Sequence, residues 1–474
     1  MKVLLINPPW KLDQNSVYSK TGAIYPPLGL ASMAAVIEAK KDFQVEILDA
    51  WGLGIGLDRF KTELLQRKPT LLGITAYTTT VVQALTAARE AKKILPEITV
   101  VLGGPHPTIV PDEIIREDCV DYVVRGEGEL VLLSLLERLQ AKDTSFDGIP
   151  GLSFKSGSEI THNPGSGFVE DWKDYPWPDR EKLPMQIYRP ASGAYRRLPV
   201  TSMITSRGCP FQCTFCSKAI FGSKVRIRPA TSVIEEVQYL IDRFGIKEIY
   251  FADDCFTVDR HRTDEFCDLV LSKGLDLTWT CSTRVNLVNE PLLMKMKRAG
   301  CISIGYGIET GDPEMALKLK KGITIDQARE AIFWTRSAGI ETRTSYIFGL
   351  PGEDLASMKK TLQLALNLNS DFVIFNLAIP LPGTGLYDEA KEKGLLFADG
   401  AELYPLTDGA HVLIRLDTVT PDELKAFYRH AYRTYYLRPR YIFQRLAQIR
   451  SLNDLLLNFK GLKEFLTWQR SASE

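Results

Sequence analysis

Short apolar runs alternate with amphipathic stretches along the first 145 residues. Val3 to Asn7, Val45 to Ala50, Thr70 to Ala76, Thr99 to Gly103 and Asp121 to Arg125 have the length and β-branched content of buried strands. Helical stretches separate them. From Gly29 to Ala39, Leu30, Met33, Ala34 and Ile37 share one face; Leu57 to Gln66, Val81 to Leu95, Pro111 to Glu117 and Glu129 to Leu139 follow. Strands alternating with helices predict a parallel, doubly wound α/β sheet. Such sheets bind ligands at the carboxyl ends of their strands. Those ends read Asn7-Pro8-Pro9, Thr75 to Thr80, Gly103 to Thr108 and Arg125 to Glu129. Gly103 and Gly104 permit a large ligand to approach the backbone. The hydroxyl-rich loop from Thr75 to Thr80, Thr78 included, suits amides. Gly52 to Gly56 follows the second strand, lacks dinucleotide-loop spacing and reads as a turn.

Residues 146–196 break the rhythm. They are rich in Pro, Gly, Asp and aromatics, and read as an ordered linker with a small hairpin near 151–162. Tyr175, Trp177 and Tyr188 are expected mostly to pack. The alternation then resumes. Strands are predicted near 201–206, 247–252, 277–282, 302–308, 341–348 and 372–379, with helices near 232–244, 260–273, 290–299, 324–338 and 354–369. A βα unit takes roughly 30 residues, so Thr201 to Pro380 holds six. A closed eight-unit barrel needs about 250 residues; six units leave a partial (β/α)6 barrel open on one side. Pro421 to Trp468 is helical in pattern, broken at Pro439, aromatic and basic, and is expected to cover that opening. The alternative for it is an anionic membrane surface. The expected divisions are 1–145, 146–196, 197–415 and 416–474.

Composition narrows the function. Lys+Arg and Asp+Glu are both 58, a balance that argues against nucleic acid as the main partner. No apolar run approaches 18 residues, and the apolar start of the chain is too short for a signal peptide. Of eight cysteines, 119, 255, 267, 281 and 301 are scattered singly and read as reduced core thiols, which fits a cytoplasmic setting.

The other three, Cys209, Cys213 and Cys216, stand at C-x3-C-x2-C spacing in Arg207-Gly-Cys-Pro-Phe-Gln-Cys-Thr-Phe-Cys-Ser-Lys218. Three thiolates can hold three irons of a [4Fe–4S] cube and leave one iron for substrate. A structural zinc site would need a fourth donor, and no Cys or His pair stands nearby to supply it.

This loop resembles that of the radical S-adenosylmethionine (SAM) superfamily. The resemblance implies a cube whose open iron chelates SAM and whose electron cleaves it to a 5′-deoxyadenosyl radical, with Phe215 beside the adenine. It also assigns the strand ends: Asp254 to the methionine end of SAM, Arg284 to its carboxylate, Glu309 to the ribose and Gly349 to the adenine side. A doubly wound domain ahead of the cluster domain is similar to the cobalamin-binding domain of B12-dependent members. It implies cobalamin contacts at Asn7, Thr75, Thr78, Gly103, Gly104, His106, Gly126 and Glu127. Many cobalamin domains carry Asp-x-His-x-x-Gly after the first strand; here Asn7-Pro8-Pro9 stands in its place. No His is therefore expected as lower cobalt ligand, and His106 is expected to bond locally. The resemblance implies methylation of an unactivated carbon. Oxidative cyclisation of the magnesium-protoporphyrin monomethyl ester type, other tetrapyrrole or lipid modification, or a non-catalytic cobalamin sensor or carrier are the alternatives. It also implies an electron donor such as flavodoxin or ferredoxin. A tRNA methylthiotransferase would need three more cysteines in the first domain, where only Cys119 is present.

Overall fold

The first sheet is built on β1 (Lys2–Asn7), β2 (Gln44–Asp49), β3 (Leu71–Thr75), β4 (Thr99–Gly103) and β5 (Tyr122–Val124), parallel in the order β2-β1-β3-β4-β5. The computed structural model describes residues 1–9, 23–40, 42–157, 159–165, 168–170, 175–191, 194–398 and 411–447. Both faces of this sheet are covered, which is why its strands read as apolar runs. Val3 and Leu5 pack in one cluster with Leu30 and Ile37 of helix Leu28–Glu38 and Leu132 of helix Gly128–Gln140. Leu4 and Ile6 pack in the other with Phe60 of helix Leu57–Arg67 and Ala84 of helix Val81–Ile94. The order reverses at β1, so a crevice opens between the ends of β1 and β3.

The five-strand parallel expectation is extended in one respect. The hairpin forms as β6 (Leu152–Ser156) and β7 (Glu159–His162), and β6 pairs antiparallel with β5. It lengthens the first sheet instead of standing free between the halves. The loop expected after β4 contains a short helix, Pro105–Ile109, with proline at its first turn.

The second sheet follows the predicted six units. β8 (Val200–Met203) is followed by a short antiparallel pair, β9 (Ser206–Arg207) and β10 (Arg226–Ile227). Then come β11 (Glu248–Phe251), β12 (Thr278–Thr283), β13 (Cys301–Glu309), β14 (Glu341–Phe348) and β15 (Phe372–Leu377). All main strands are parallel in the order β15-β14-β13-β12-β11-β8, so the barrel stays open between β8 and β15. The helix-facing side is aromatic: Phe251, Phe256, Phe266 and Trp279 pack with ring centroids 4.6–6.0 Å apart. The concave side is small and polar, with Ser282, Gly305, Gly307 and Ser345 half-buried along it.

Helix Pro421–Tyr436 covers the open edge at β15, as the amphipathic pattern suggests. Phe427 packs edge-on to Phe348 at 5.2 Å, and Tyr432 to Phe375 at 5.3 Å. Its tyrosines also complete the edge strand's hydrogen bonding. The Tyr432 hydroxyl accepts from the Phe375 N–H at 3.2 Å and donates to its carbonyl at 3.0 Å. One turn on, the Tyr436 hydroxyl accepts from the Val373 N–H at 3.0 Å and donates to its carbonyl at 2.6 Å. An unpaired edge invites pairing with another chain; here side chains i and i+4 on one helix face take that role. The pattern expected past residue 447 lies outside the described residues. Among the described residues no helix is long and apolar enough to cross a membrane.

Replacing Tyr436 by Phe removes one donor and one acceptor while keeping the ring. Tyr436→Phe is expected to lower stability by about 1–3 kcal/mol, the cost of leaving such groups unpaired. A shift in the chemical-denaturation midpoint of the metal-free protein checks it.

Candidate functional site

The parallel strands of each sheet end on one rim, and the two rims face each other across a cavity of about 800 Å³. Asn7, Thr75, Thr79, Gly103, Gly104 and Gly126 lie on the wall given by the first sheet. Ser202, Ile204, Phe221, Tyr250 and Ala252 lie on the opposite wall. Asn7 is held from behind: its amide donates to Asp49 at 2.8 Å, and Asp49 accepts in turn from the Tyr188 hydroxyl at 3.0 Å and the Gly52 N–H at 2.9 Å. Burial raises the Asp49 carboxyl above its ordinary range. The Gly52 turn is thus a support for Asp49, and Tyr188 packs as expected. Gly104 has φ +99°, and a Cβ there would lie 2.9 Å from Thr75 Oγ1, so only glycine lets the chain turn so close to β3.

Two predicted cavity residues sit elsewhere. Thr78 and His106 are both buried and face each other, His106 Nδ1 lying 3.3 Å from Thr78 Oγ1, and neither lies on the cavity wall. Residues Thr78–Thr80 form a single 3₁₀ turn, which spreads successive side chains in three directions and turns Thr78 inward. Burial pushes His106 down to about 4, so it is neutral. Thr79, Thr80 and Gln83 take the wall instead. Gln83 Oε1 is buried with no partner, an open acceptor on that wall. Glu127 borders the cavity, and its carboxylate pairs with Arg207 at 2.6 Å and with Arg226.

On the other side, the cysteine loop is pinched at its base by β9 and β10, where Arg207 pairs with Arg226. Gly208 has φ +89°, and a Cβ there would lie 2.3 Å from the Lys224 carbonyl oxygen. Cys209, Cys213 and Cys216 are free thiols. Desolvation and the nearby charges of Asp254, Cys209 and Cys213 push the Cys216 thiol up to about 11, although its side chain reaches solvent. Among the described residues no three His, Cys, Asp or Glu side chains converge as ligands of a single metal ion. Three free thiols on one loop fit a polynuclear cluster that takes one thiolate per iron.

Arg284 already has partners, while its Nε is buried without one. Its Nη1 donates to Cys213 Sγ at 3.4 Å, its Nη2 donates to the Lys321 carbonyl, and its guanidinium lies 3.8 Å from the centre of the Phe211 ring. It steadies the cysteine loop. Lys321, which the sequence pattern does not single out, donates to Glu309 at 2.9 Å, and its ammonium stands 5.7 Å from the Phe215 ring centre. Phe215, Glu309, Lys321, Arg284 and Cys213 therefore form one connected patch. Glu309 has φ +72° at a bulge of β13, a conformation costly for a residue with a Cβ and typical of ligand sites.

Asp254 is exposed on the rim after β11. It caps no helix; Asp259 caps the following one, accepting from the Arg262 N–H at 2.9 Å. The buried partner is Asp253, which accepts from Thr205 N–H at 2.6 Å and Ser206 Oγ at 2.9 Å and ties β11 to the loop entering the cysteines. Gly349 has φ +84°, and a Cβ there would lie 2.8 Å from Leu424 Cδ2, so glycine also serves the packing of helix Pro421–Tyr436. The Gly349 N–H donates to Glu353 at 2.7 Å, and the Leu350 N–H at 3.1 Å. Glu353 does not begin the next helix, which Asp354 caps.

Comparisons with known proteins find a separate family match in each half. Residues 203–365 match the radical SAM superfamily model, and residues 15–136 match the B12 binding domain model. Over 446 residues the chain is 35% identical to an uncharacterized methyltransferase of Pyrococcus horikoshii, covering 94% of each. It is 29% identical over 405 residues to the anaerobic magnesium-protoporphyrin IX monomethyl ester cyclase of Rubrivivax gelatinosus, covering 84% of this chain and 71% of that one. Its fold is similar to that of the radical SAM methyltransferase TsrM of Kitasatospora setae, solved with cobalamin and a [4Fe–4S] cluster bound. The TM-score is 0.68 at 22% identity, covering 90% of this chain and 85% of that one.

Glu353 yields a pH prediction. Burial raises its carboxyl to about 7, so below that pH the neutral acid is the favoured native form. Folding takes up a proton between the ordinary value of 4.5 and about 7, and native stability falls as pH rises through that window. Glu353→Gln keeps an acceptor and cannot ionise. Its denaturation midpoint relative to wild type should therefore move in the variant's favour as pH rises from 4.5 to 7; a constant gap would contradict this.

Proposed function

The chain belongs to the cobalamin-binding radical SAM family, and we propose that it methylates an unactivated carbon of a small-molecule substrate. The observation that carries this reading is the single cavity shared by the strand-end rims of both sheets, with the cysteine loop beside one rim. When bound, the cluster with SAM would supply a carbon-centred radical, and the corrinoid a methyl group.

The chain's own residues would hold and orient these groups. Cys209, Cys213 and Cys216 would ligate the cluster, with Arg284 fixing Cys213 by its 3.4 Å contact. Glu309, held by Lys321 at 2.9 Å, has acceptor lone pairs left for ribose hydroxyls, and Phe215 offers a flat face beside them. Asp254 stands open on the rim for the methionine end. On the far wall, Asn7, Thr75 and Gln83 would meet the amide side chains of a corrinoid, and Gly103, Gly104 and Gly126 leave it room. The apolar lining, Phe221 and Ile204 among it, would limit water in the space between once the cofactors are bound.

The Pyrococcus horikoshii relative supports methyl transfer, and the Rubrivivax gelatinosus relative supports a second reading, oxidative ring closure on a tetrapyrrole. A lipid is the other substrate class we consider. We further propose a reducing, cytoplasmic setting, an electron donor of the flavodoxin or ferredoxin type, and peripheral membrane contact through the basic C-terminal segment if the substrate is a lipid.

The protein purified without oxygen is expected to take up a [4Fe–4S] cluster and cobalamin. With SAM carrying a deuterated methyl group, extracts of cells lacking the gene should gain a product bearing that methyl. A product with a new ring and no label supports cyclisation instead. Cys213→Ala should reduce 5′-deoxyadenosine formation to background while cobalamin still binds. Zinc in place of the cluster, or no cobalamin uptake, would sink the reading.

A further inference from the structure

Four buried charges join the loop after β5 to the base of the cysteine loop. Arg207 donates through Nη1 to Glu127 Oε2 and through Nη2 to Glu129 Oε1, each at 2.6 Å. Arg226 pairs with the other oxygen of Glu127. The Val169 N–H also donates to Glu127 Oε2, at 3.2 Å. The side chains are almost closed to water: 0% exposed for Glu127, 6% for Glu129, 7% for Arg207 and 4% for Arg226. Aromatic rings shield the cations, Phe221 at 5.3 Å from Arg207 and Phe168 at 4.7 Å from Arg226. Two carboxylates against two guanidiniums make the set neutral.

Its placement is what distinguishes it. Both carboxylates come from the Gly126–Glu129 turn, whose four residues border the cavity. Both guanidiniums come from β9 and β10, the strands between which the cysteine loop is closed. Arg207 stands two residues before Cys209. The halves are already fastened elsewhere. Arg180 in the linker donates to Glu236 at 2.5 Å and to the Ser202 carbonyl at 3.0 Å, and Tyr188 reaches Asp49 at 3.0 Å. The Glu127–Glu129 set stands beside these ties and runs directly from the cavity turn to the cysteine loop.

We propose that Glu127 and Glu129 are positioning residues for the cysteine loop, and that through them the corrinoid cavity and the cluster site are energetically coupled. This rests on the cofactor reading above. A ligand filling the cavity bears on the Gly126–Glu129 turn. That turn cannot shift without drawing Arg207 and Arg226 or leaving a charge buried and unpaired. The linkage is reciprocal: a cluster that fixes the loop fixes the turn, and a corrinoid that fixes the turn fixes the loop.

The test uses the full chain, handled without oxygen, titrated with hydroxocobalamin before and after cluster assembly. In the wild type, cluster assembly is expected to tighten cobalamin binding at least about 5-fold, the low end of allosteric coupling. In Glu129→Gln that factor should fall towards 1 while iron content stays at the wild-type level. The magnetic interaction between reduced cluster and cob(II)alamin reports position independently; its distance distribution should broaden in the variant. If Glu129→Gln does not accumulate folded, Arg207→Lys serves, since a point charge cannot span both carboxylates as the fork does. A wild type that binds both cofactors with a factor of 1 overturns the coupling and leaves the functional reading standing. So does a variant that keeps both the wild-type factor and the wild-type distance distribution. A wild type that takes up no cobalamin removes the functional reading, and the coupling with it.

Discussion

Parallel strands all end on the same side of their sheet, and the rest of the molecule depends on that constraint. Parallel pairing needs a crossover connection between the paired strands, usually a helix, so each half has one rim of loops where chemistry can be placed. Here the two rims are turned toward a common cavity. The β1/β3 reversal supplies the crevice on one side, and the six-strand arc supplies the cysteine loop and the Glu309 bulge on the other.

Loops that carry a site need interactions with direction, and around the second sheet buried ion pairs provide it. Glu236 sits fully buried between Arg180 and Arg228, and the two guanidiniums hold its carboxyl below the ordinary range against the opposing effect of burial. Asp253 is set among Thr205, Ser206 and Arg262. Glu309 is set against Lys321. Such pairs gain little net stability over well-packed apolar groups, because taking each charge from water is costly. Their geometry is nevertheless demanding, since any other arrangement strands a charge. The apolar clusters supply the driving force, and the paired charges select the arrangement.

Helix Pro421–Tyr436 links edge protection to the loop after β14. Tyr432 and Tyr436 close β15, and Leu424 of the same helix packs on Gly349 beside Glu353. The Thr418 hydroxyl, in the approach to that helix, donates to the Glu353 carbonyl at 3.1 Å. Closing the barrel edge and fixing the β14 loop are thus one packing event.

Periodicity and spacing alone determined much of this protein. The strand and helix order, the six-unit count and the three-cysteine loop are local properties, set by side-chain period, turn residues and ligand spacing within a few residues. The β14 reading, 341–348, agrees with the observed strand Glu341–Phe348 to the residue. The tertiary structure decided what depends on residues far apart in the chain. Thr78 and His106 turn inward together, Arg284 is committed to Cys213 and Lys321, Gly349 serves Leu424, and Glu127 reaches Arg207 eighty positions on. A charged or glycine residue at a strand end has the same local pattern whether it meets a ligand or another loop. Only the folded chain brings the competing partner within hydrogen-bond distance, and for a buried charge that partner determines where the side chain goes.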